Sequence, residues 1–597
     1  MVLRAEARPL EKASVDPRWL RLYQYERSMG GYGSDVKTLS FYFSENGRRD
    51  PRAEMEAAVE AYESAHKRYG NLNLPAACVF PARKRVLELI LNRKFPDVDC
   101  PELKSWQERL NVNSASLVYV GSYTGNPASI LGHTFLRLSN SDRENSGRDG
   151  LDLLSYSVGY SAHTDPRDSQ AIFVLKGLTG GYPGFYDIEP HYMKVGLYNN
   201  SESRDIWEVR LSLSSSEMDL LSKLIWEYTF NAEIDYYFIG KNCSYRILKL
   251  IEAVKPEIRA SERFGGAVLP AETVRALIDQ KIINPRLRFR SSIKRRMDIK
   301  VALLSSDDQG IFEDAKRDLS QLGKIQNPTI LDALIDYWLY ENYQSKTELP
   351  SLKKEIMEAT FQRAAEAKGQ SSFQGTNEEI RIEHRLSPPF LGHKSSWVEV
   401  EGGMVHQEGM GALSFRSGVH PAWSNDPAYQ DISPIEYLGG EIRWFERRPS
   451  QWSLLVAKIQ NLENYSSSER PGSWGFEAKV TNTCELCLSN STVATVSGSY
   501  GVSFDMSGIQ FSLLPEIQLD GWTKKGQLSG LLAPGLRSVL RTDSGPFIFR
   551  LEAAFHWLRN LREESLDGRI GYLINENRQV FLKFSDQTLG VSWVEFI

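Results

Sequence analysis

The stretch "PFIFRLEAAFHWLRN" near the C-terminus constrains the fold of this chain more than any other feature. In it Phe547, Phe549, Leu551, Ala553, Phe555 and Trp557 alternate with a second row that includes Arg550, Glu552 and His556. A two-residue period sustained over about ten positions puts an apolar and a polar row on opposite faces of one strand, as a lipid-facing barrel strand requires. "SWVEVEGGMV", "IEYLGGEIRWFERR", "QWSLLVAKIQ", "RQVFLKFS" and "GVSWVEFI" follow the same theme with turn residues between them. About ten to twelve such segments fit, enough for a closed antiparallel barrel. A soluble β-sandwich or barrel is the alternative, because several runs alternate poorly.

The chain has 597 residues, too many for one hydrophobic core, so about two to four domains are expected. The pattern divides it into a helical N-terminal region at 1–110, an α+β domain at 111–285, a helical connector at 286–390 and an antiparallel β-barrel-like domain at 391–597. In the first, "DPRAEMEAAVEAYESAHKRYG" starts with an Asp-Pro cap and runs to a glycine after a basic last turn, and "PARKRVLELILNRK" continues as helix. In the second, "ASLVYVGSY", "HTFLRLS", "LDLLSYSVGYSA", "QAIFVLKGL" and "DIWEVRLSL" have strand composition, six strands being expected in all, and "SSEMDLLSKLIWEYTFNA" opens a helix with a serine cap. In the third, "RLRFRSSIKRRMDIK" carries seven Arg and Lys residues, which either meet anionic lipid or lie on a solvated face. "AAEAKGQSSFQGTNEE" reads as a flexible linker.

A net charge of −5 leaves no nucleic-acid footprint. No window reaches the roughly 18 consecutive apolar residues of a membrane-spanning helix, which leaves transmembrane strands open. The first residues, "MVLRAEARPLEKASVDPRWL", lack an apolar signal core, so the expectation is a cytoplasmic protein or a chain written without its leader. In an oxidising compartment Cys78 with Cys100 and Cys484 with Cys487 can close, leaving Cys243 as the odd thiol. "CELC" is otherwise a pair of free thiols, a redox dithiol or half a zinc site, but no second CxxC or histidine pair accompanies it.

Cys243 stands in "IGKNCSYRILKLIEA", where a polar turn becomes a helix-patterned run. At a first helical turn the unpaired N–H groups lower a thiol pKa. Asn242 and Ser244 suit a cap, Ile247, Leu248, Leu250 and Ile251 give a buried face, and the thiol is expected at the exposed end of the helix. A nucleophile needs a base within reach, and the mixed domain offers His133, His163 and His191. His133 is best placed, after a glycine and at the start of a strand, in "SILGHTFLRLS". The alternative is that both are unrelated core residues. Ser155 and Ser157 are available as a third, orienting group, although Asn, His or an acid is usual. Asn242 with a backbone amide is a candidate oxyanion site. Arg137 either positions an anionic head group or pairs with a core acid. Tyr123, Gly180, Gly181 and Tyr182 are candidates to line an acyl groove, the glycines being as readily explained by a tight turn.

"SILGHTFLRL", "GLTGGYPGFYD" and "YYFIGKNCSYRILKLIE", in that order, resemble the Lnb N-terminal periplasmic domain family, a permuted relative of the NlpC-type papain-like fold. The resemblance covers roughly residues 110–285, with histidine strand before cysteine helix, 110 positions apart (243 minus 133). The β-rich C-terminal region also looks like the domain that accompanies this one in larger Gram-negative members. The resemblance implies lipoprotein N-acylation without cofactor or metal, in the periplasm or at the outer membrane, with phospholipid or lipoprotein as substrate. Cys243 would attack an ester to form a thioester and His133 would move the protons. A cysteine amidase or peptidase acting on cell-wall peptide is the alternative within the fold. A structural or transport barrel with an inactive module is the third reading.

Overall fold

The computed structural model describes residues 10–123, 129–141, 151–318, 322, 325–344, 358, 360, 362, 387–424, 426–429, 433–463, 472–482, 492–506, 508–524, 527–558, 561–585 and 588–597. The chain divides into two compact units, residues 1–303 with 331–366 and residues 304–330 with 367–597.

The first unit begins with helices α1 (Pro17–Leu22), α2 (Pro51–Glu63), α3 (Pro81–Leu91) and α4 (Pro101–Leu110), each opened by a proline whose missing N–H costs nothing at a first turn. Asp16 and Asp50 cap α1 and α2 by accepting backbone N–H groups. The region is not wholly helical. Two short hairpins interrupt it, Tyr25–Ser28 with Gly31–Ser34 and Arg68–Tyr69 with Leu74–Pro75. The second takes up the chain expected to extend α2, because Gly70 and Asn73 adopt positive φ in its turn. Cys78 and Cys100 are disulfide-bonded and Cys243 is a free thiol. Cys484 and Cys487, like the 364–379 linker, lie outside the described residues.

Seven antiparallel strands, not six, follow: β1 (Ser114–Val120), β2 (His133–Ser139), β3 (Tyr156–Ala162), β4 (Tyr182–Pro190), β5 (Ile206–Leu211), β6 (Ile234–Tyr236) and β7 (Ile283–Arg290). Their order is β6-β4-β3-β2-β1-β5-β7. "QAIFVLKGL" is not among them. It forms helix α5 (Gln170–Thr179), because Ser169 caps its start by accepting the Ile172 N–H and Gly180, at φ +76°, ends it. Local capping outweighs the strand-like composition. α6 (His191–Val195) runs into a π-helical turn, Gly196–Ser201, and together they cover the sheet face that carries Phe135. α7 (Ser215–Asn231) opens with a capping box between Ser214 and Glu217. α8 (Cys243–Val254) packs against β2 and β3.

The basic stretch spans the end of β7 and helix α10 (Ile293–Ala302), with α9 (Pro270–Asp279) before it. Its charges meet acids: Arg295 pairs with Asp205 at 2.5 Å, Arg296 with Asp336 at 3.1 Å, and Lys300 with Asp336 at 2.7 Å. Helices Ser306–Arg317 and Pro328–Gln344 continue the helical pattern.

The second unit holds a closed barrel of twelve strands: β8 (Ser396–Val405), β9 (Glu408–His420), β10 (Ile435–Phe445), β11 (Gln451–Asn461), β12 (Ser473–Thr481), β13 (Val493–Met506), β14 (Ile509–Lys524), β15 (Gln527–Ser544), β16 (Phe547–Leu558), β17 (Leu561–Asn575), β18 (Arg578–Ser585) and β19 (Thr588–Phe596). β19 returns to pair with β8 from Trp397–Phe596 to Val405–Thr588, which removes the exposed edges of an open sheet. Along β19, Leu589, Val591 and Trp593 are 59%, 56% and 43% exposed while Ser592 is 1% exposed. This apolar-out, polar-in alternation is that of a barrel set in lipid. Inside, ion pairs such as Arg443–Glu441 at 2.7 Å and Arg550–Glu552 at 2.8 Å line a cavity of about 620 Å³. Trp397, Trp423, Phe581 and Phe596 form an apolar cluster within the barrel. No described helix is long and apolar enough to cross a membrane.

Candidate active site

β3 pairs with β2 at Leu136, Arg137 and Leu138. Beyond the end of that pairing the backbone amide of Thr134 lies near enough to the sulfur of Cys243 to favour its thiolate. The first turn of α8 therefore enters the sheet where β2 and β3 part, one residue from His133. The Tyr236 hydroxyl and the Ser244 backbone amide act on the sulfur in the same direction. Asn242 caps α8 through Oδ1, which accepts the Tyr245 N–H at 3.3 Å and the Ser244 hydroxyl at 2.8 Å.

Gly132, at φ +89°, turns the chain into β2, and a Cβ there would come within 3.1 Å of the Val120 carbonyl. His133 follows, paired with Val120. Its ring lies 5.3 Å from the ring of Tyr198, on the π-helical turn, and 6.2 Å from that of Phe135. Nε2 of His133 is buried and has no hydrogen-bond partner among the described residues. A single π-turn over a candidate base is a common functional placement for this strained element.

Arg204 completes the surroundings. Its Nε donates to the Gly121 carbonyl at 2.6 Å, one nitrogen pairs with Glu202 at 2.6 Å, and the guanidinium lies 5.2 Å from the Tyr198 ring centre. The remaining nitrogen, buried, finds no hydrogen-bond partner among the described residues. Lys194 pairs with Glu189 at 2.5 Å and Asp187 at 3.3 Å.

Burial decides the protonation states. It pushes the Cys243 thiol up, against the opposing pull of the Thr134 amide, the Tyr236 hydroxyl, the Ser244 amide and the Arg204 charge. Cys243 is 3% exposed, so the expected exposed, acidic thiol at a helix tip is corrected. A helix N-terminus is worth about 0.3–1 kcal/mol to a nearby anion, whereas burying an ion costs several kcal/mol, so desolvation wins. Burial also holds His133 well below the ordinary histidine range, helped by the charges of Lys194 and Arg204. At rest Cys243 and His133 are each buried and held toward the neutral form.

The supporting residues expected from the sequence fall elsewhere. The Asn242 amide is no free oxyanion donor, since Nδ2 donates to the Val268 carbonyl at 2.7 Å and the Phe238 carbonyl at 3.3 Å. Arg137 pairs with Glu208 at 2.8 Å, both buried, which is the core-acid alternative and not a head-group site. Ser157 meets Nδ1 of His191 at 2.9 Å, and the Ser155 carbonyl accepts the His191 N–H at 2.8 Å. That network is set apart from His133 by the Phe135 ring, 6.1 Å from the ring of His191. His163 sits near Phe185, at 6.5 Å between ring centres. Gly180 and Gly181 belong to the end of α5, and Tyr182 donates to Asp168 at 2.6 Å. Tyr123 lies just past β1, its backbone N–H bonded to the Ser129 carbonyl. Among the described residues no group of three or more His, Cys, Asp and Glu side chains is placed to hold a metal ion.

Tyr198, Arg204 and Tyr236 were missed because their link to the site is topological. Arg204 lies two residues before Ile206, which pairs with Val120, which pairs with His133. Only the strand order makes them neighbours.

Residues 102–280 match the Lnb N-terminal periplasmic domain. His133, Thr134, Tyr198, Arg204, Tyr236 and Cys243 all fall inside that match. Residues 11–89 and 387–590 match two domains of unknown function, DUF7843 and DUF7840. No curated protein matches the chain. Among solved structures, the outer membrane protein Omp33 of Acinetobacter baumannii is 10% identical over 34% of this chain and 99% of that one, with a TM-score of 0.20. That score is too low to indicate a shared fold. The family match agrees with the resemblance read from the histidine and cysteine motifs.

Proposed function

We propose that residues 102–280 form a permuted papain-like cysteine acyltransferase that moves an acyl chain from a lipid ester to the α-amino group of a lipoprotein. The observation that carries this reading is the burial of the Cys243 sulfur where α8 packs on β2, with the Thr134 amide near enough to favour its thiolate. It puts Cys243, the one free cysteine among the described residues, beside the strand residue that follows His133, whose buried Nε2 has no hydrogen-bond partner among them.

In the first half-reaction His133 accepts the thiol proton and the sulfur attacks the ester carbonyl. The C–S bond forms, the C–O bond breaks, and His133 returns the proton to the departing alcohol. In the second, the amine attacks the thioester carbonyl while His133 takes its proton. The C–N bond forms, the C–S bond breaks, and the sulfur is reprotonated by His133. Arg204 favours the thiolate, since its charge lowers the thiol pKa. Donor binding must also relax the burial that keeps both groups neutral.

The barrel's apolar exterior supports residence in an outer membrane, with the Lnb-like segment in the periplasm, and the Cys78–Cys100 bond fits an oxidising compartment. The test is mass spectrometry of lipoprotein N-termini from cells whose only copy carries Cys243→Ala. Loss of the N-linked acyl group is expected. An unchanged lipoprotein pattern with altered peptidoglycan fragments would replace this reading by the amidase.

A further inference from the structure

α5 is apolar almost all round, and it is not buried. Ile172, Leu175 and Leu178 are 44%, 62% and 47% exposed, and at 3.6 residues per turn they share an arc of about 120°. A helix of this composition is ordinarily covered. Its single charge, Lys176, is tied to Asp168 at 2.8 Å, and nearby Arg167 is paired with Asp165 at 2.7 Å. The exposed face thus keeps no free charge to select a polar partner.

The other side of α5 rests on the loop that leads to Cys243. The Gly177 carbonyl accepts the Phe238 N–H at 2.8 Å, and the rings of Phe173 and Phe238 lie 5.0 Å apart. A Cβ at Gly177 would fall 2.2 Å from the Phe238 ring, and one at Gly180 2.3 Å from that of Tyr237, so helix and loop are in close contact. On the other segment that borders the site, Tyr192, Met193 and Leu197 are 53%, 49% and 47% exposed, beside the Tyr198 that packs on His133. The helix that packs on the loop leading to Cys243 and the segment that packs on His133 therefore both present apolar side chains outward.

We propose that these two faces rest on the surface of a phospholipid bilayer, so that the donor's acyl chain reaches Cys243 from the membrane and not from water. The occupant is argued from the same chain, whose barrel carries an outward apolar surface and so works at a bilayer. The docking itself needs no catalysis. Only the delivery of an acyl chain rests on the acyltransferase reading.

The test reconstitutes the full chain in vesicles of phosphatidylethanolamine and phosphatidylglycerol, with p-benzoylphenylalanine in place of Leu175 or of Leu89, an exposed residue of α3. Ultraviolet irradiation is expected to add phospholipid mass at position 175 and not at 89. Crosslinks from 175 to polypeptide, equal lipid capture at both positions, or no capture at 175 would each overturn the proposal. A second variant, Leu175→Glu with Leu178→Glu, is expected to lose acyl loading of Cys243 from vesicles while keeping alkylation of that thiol by a small reagent. Undiminished loading overturns the proposal. Lipid capture at 175 in a protein that never acylates Cys243 supports the docking and removes the acyltransferase reading instead.

Discussion

The backbone amide of Thr134 adjoins the sulfur of Cys243 and favours its thiolate, joining positions 109 apart in the chain (243 minus 134). The contact comes from the main chain, so the Thr134 side chain is not required for it. The Thr134 hydroxyl is buried without a hydrogen-bond partner among the described residues. Thr134→Val should therefore leave Cys243 alkylation unchanged and raise stability by up to about 1 kcal/mol, because an unsatisfied buried polar group is replaced by a methyl of similar shape. Gly132→Ala should lose both, since the backbone there is at φ +89°. Denaturant unfolding with alkylation kinetics checks the pair, and a Thr134→Val protein that is destabilised and slow to alkylate would count against this geometry.

Because burial raises the Cys243 thiol, its alkylation rate should still be climbing above pH 9, past the ordinary cysteine range of about 8.5. The Arg204 charge opposes that rise, so Arg204→Gln should move the profile to higher pH, whereas Arg204→Lys, which keeps the charge, should move it less. Each pH unit of displacement is about tenfold in rate at fixed pH below the midpoint. A plateau near neutrality in the unsubstituted protein would contradict the closed, neutral site.

How much of this was legible in the sequence follows from the range of the interactions involved. The barrel was, because a two-residue period is written residue by residue: Phe547 and Phe555 face outward while Arg550 and His556 face inward. The Asn242 cap was legible for the same reason, acting on an N–H three residues on, whereas the serine cap of α7 falls at Ser214, one residue before the run "SSEM" that was expected to open the helix. α5 was misread as strand, since Ile172, Phe173, Val174 and Leu175 favour strands by composition and only Ser169 and Gly180 at the ends decide otherwise. The state of Cys243 was misread because helix position is local but burial is a property of the assembled fold. Arg204 was invisible, as its tie to Gly121 spans 83 positions.

The outward face of the barrel carries its own test. Val591→Arg places a charge on the apolar row of β19 and should cost about 2–4 kcal/mol if that row meets the bilayer centre. Unfolding titrations in phospholipid vesicles measure it. A cost near zero would argue for a barrel in water.

The Cys78–Cys100 bond closes 22 positions between α4 and the short helix before α3. Reduction should lower stability by about 3 kcal/mol through the freed entropy of the unfolded chain. Thermal melts with and without reductant read this out, and identical melts would mean that the two thiols are not bonded in solution.

The most direct measurement is the intact mass of the purified full-length protein after incubation with a diacyl phospholipid and no amine acceptor. The account predicts one added acyl chain, removed by neutral hydroxylamine, located on Cys243, absent in Cys243→Ala and strongly reduced in His133→Ala. No adduct, or an adduct that persists in Cys243→Ala, would contradict it.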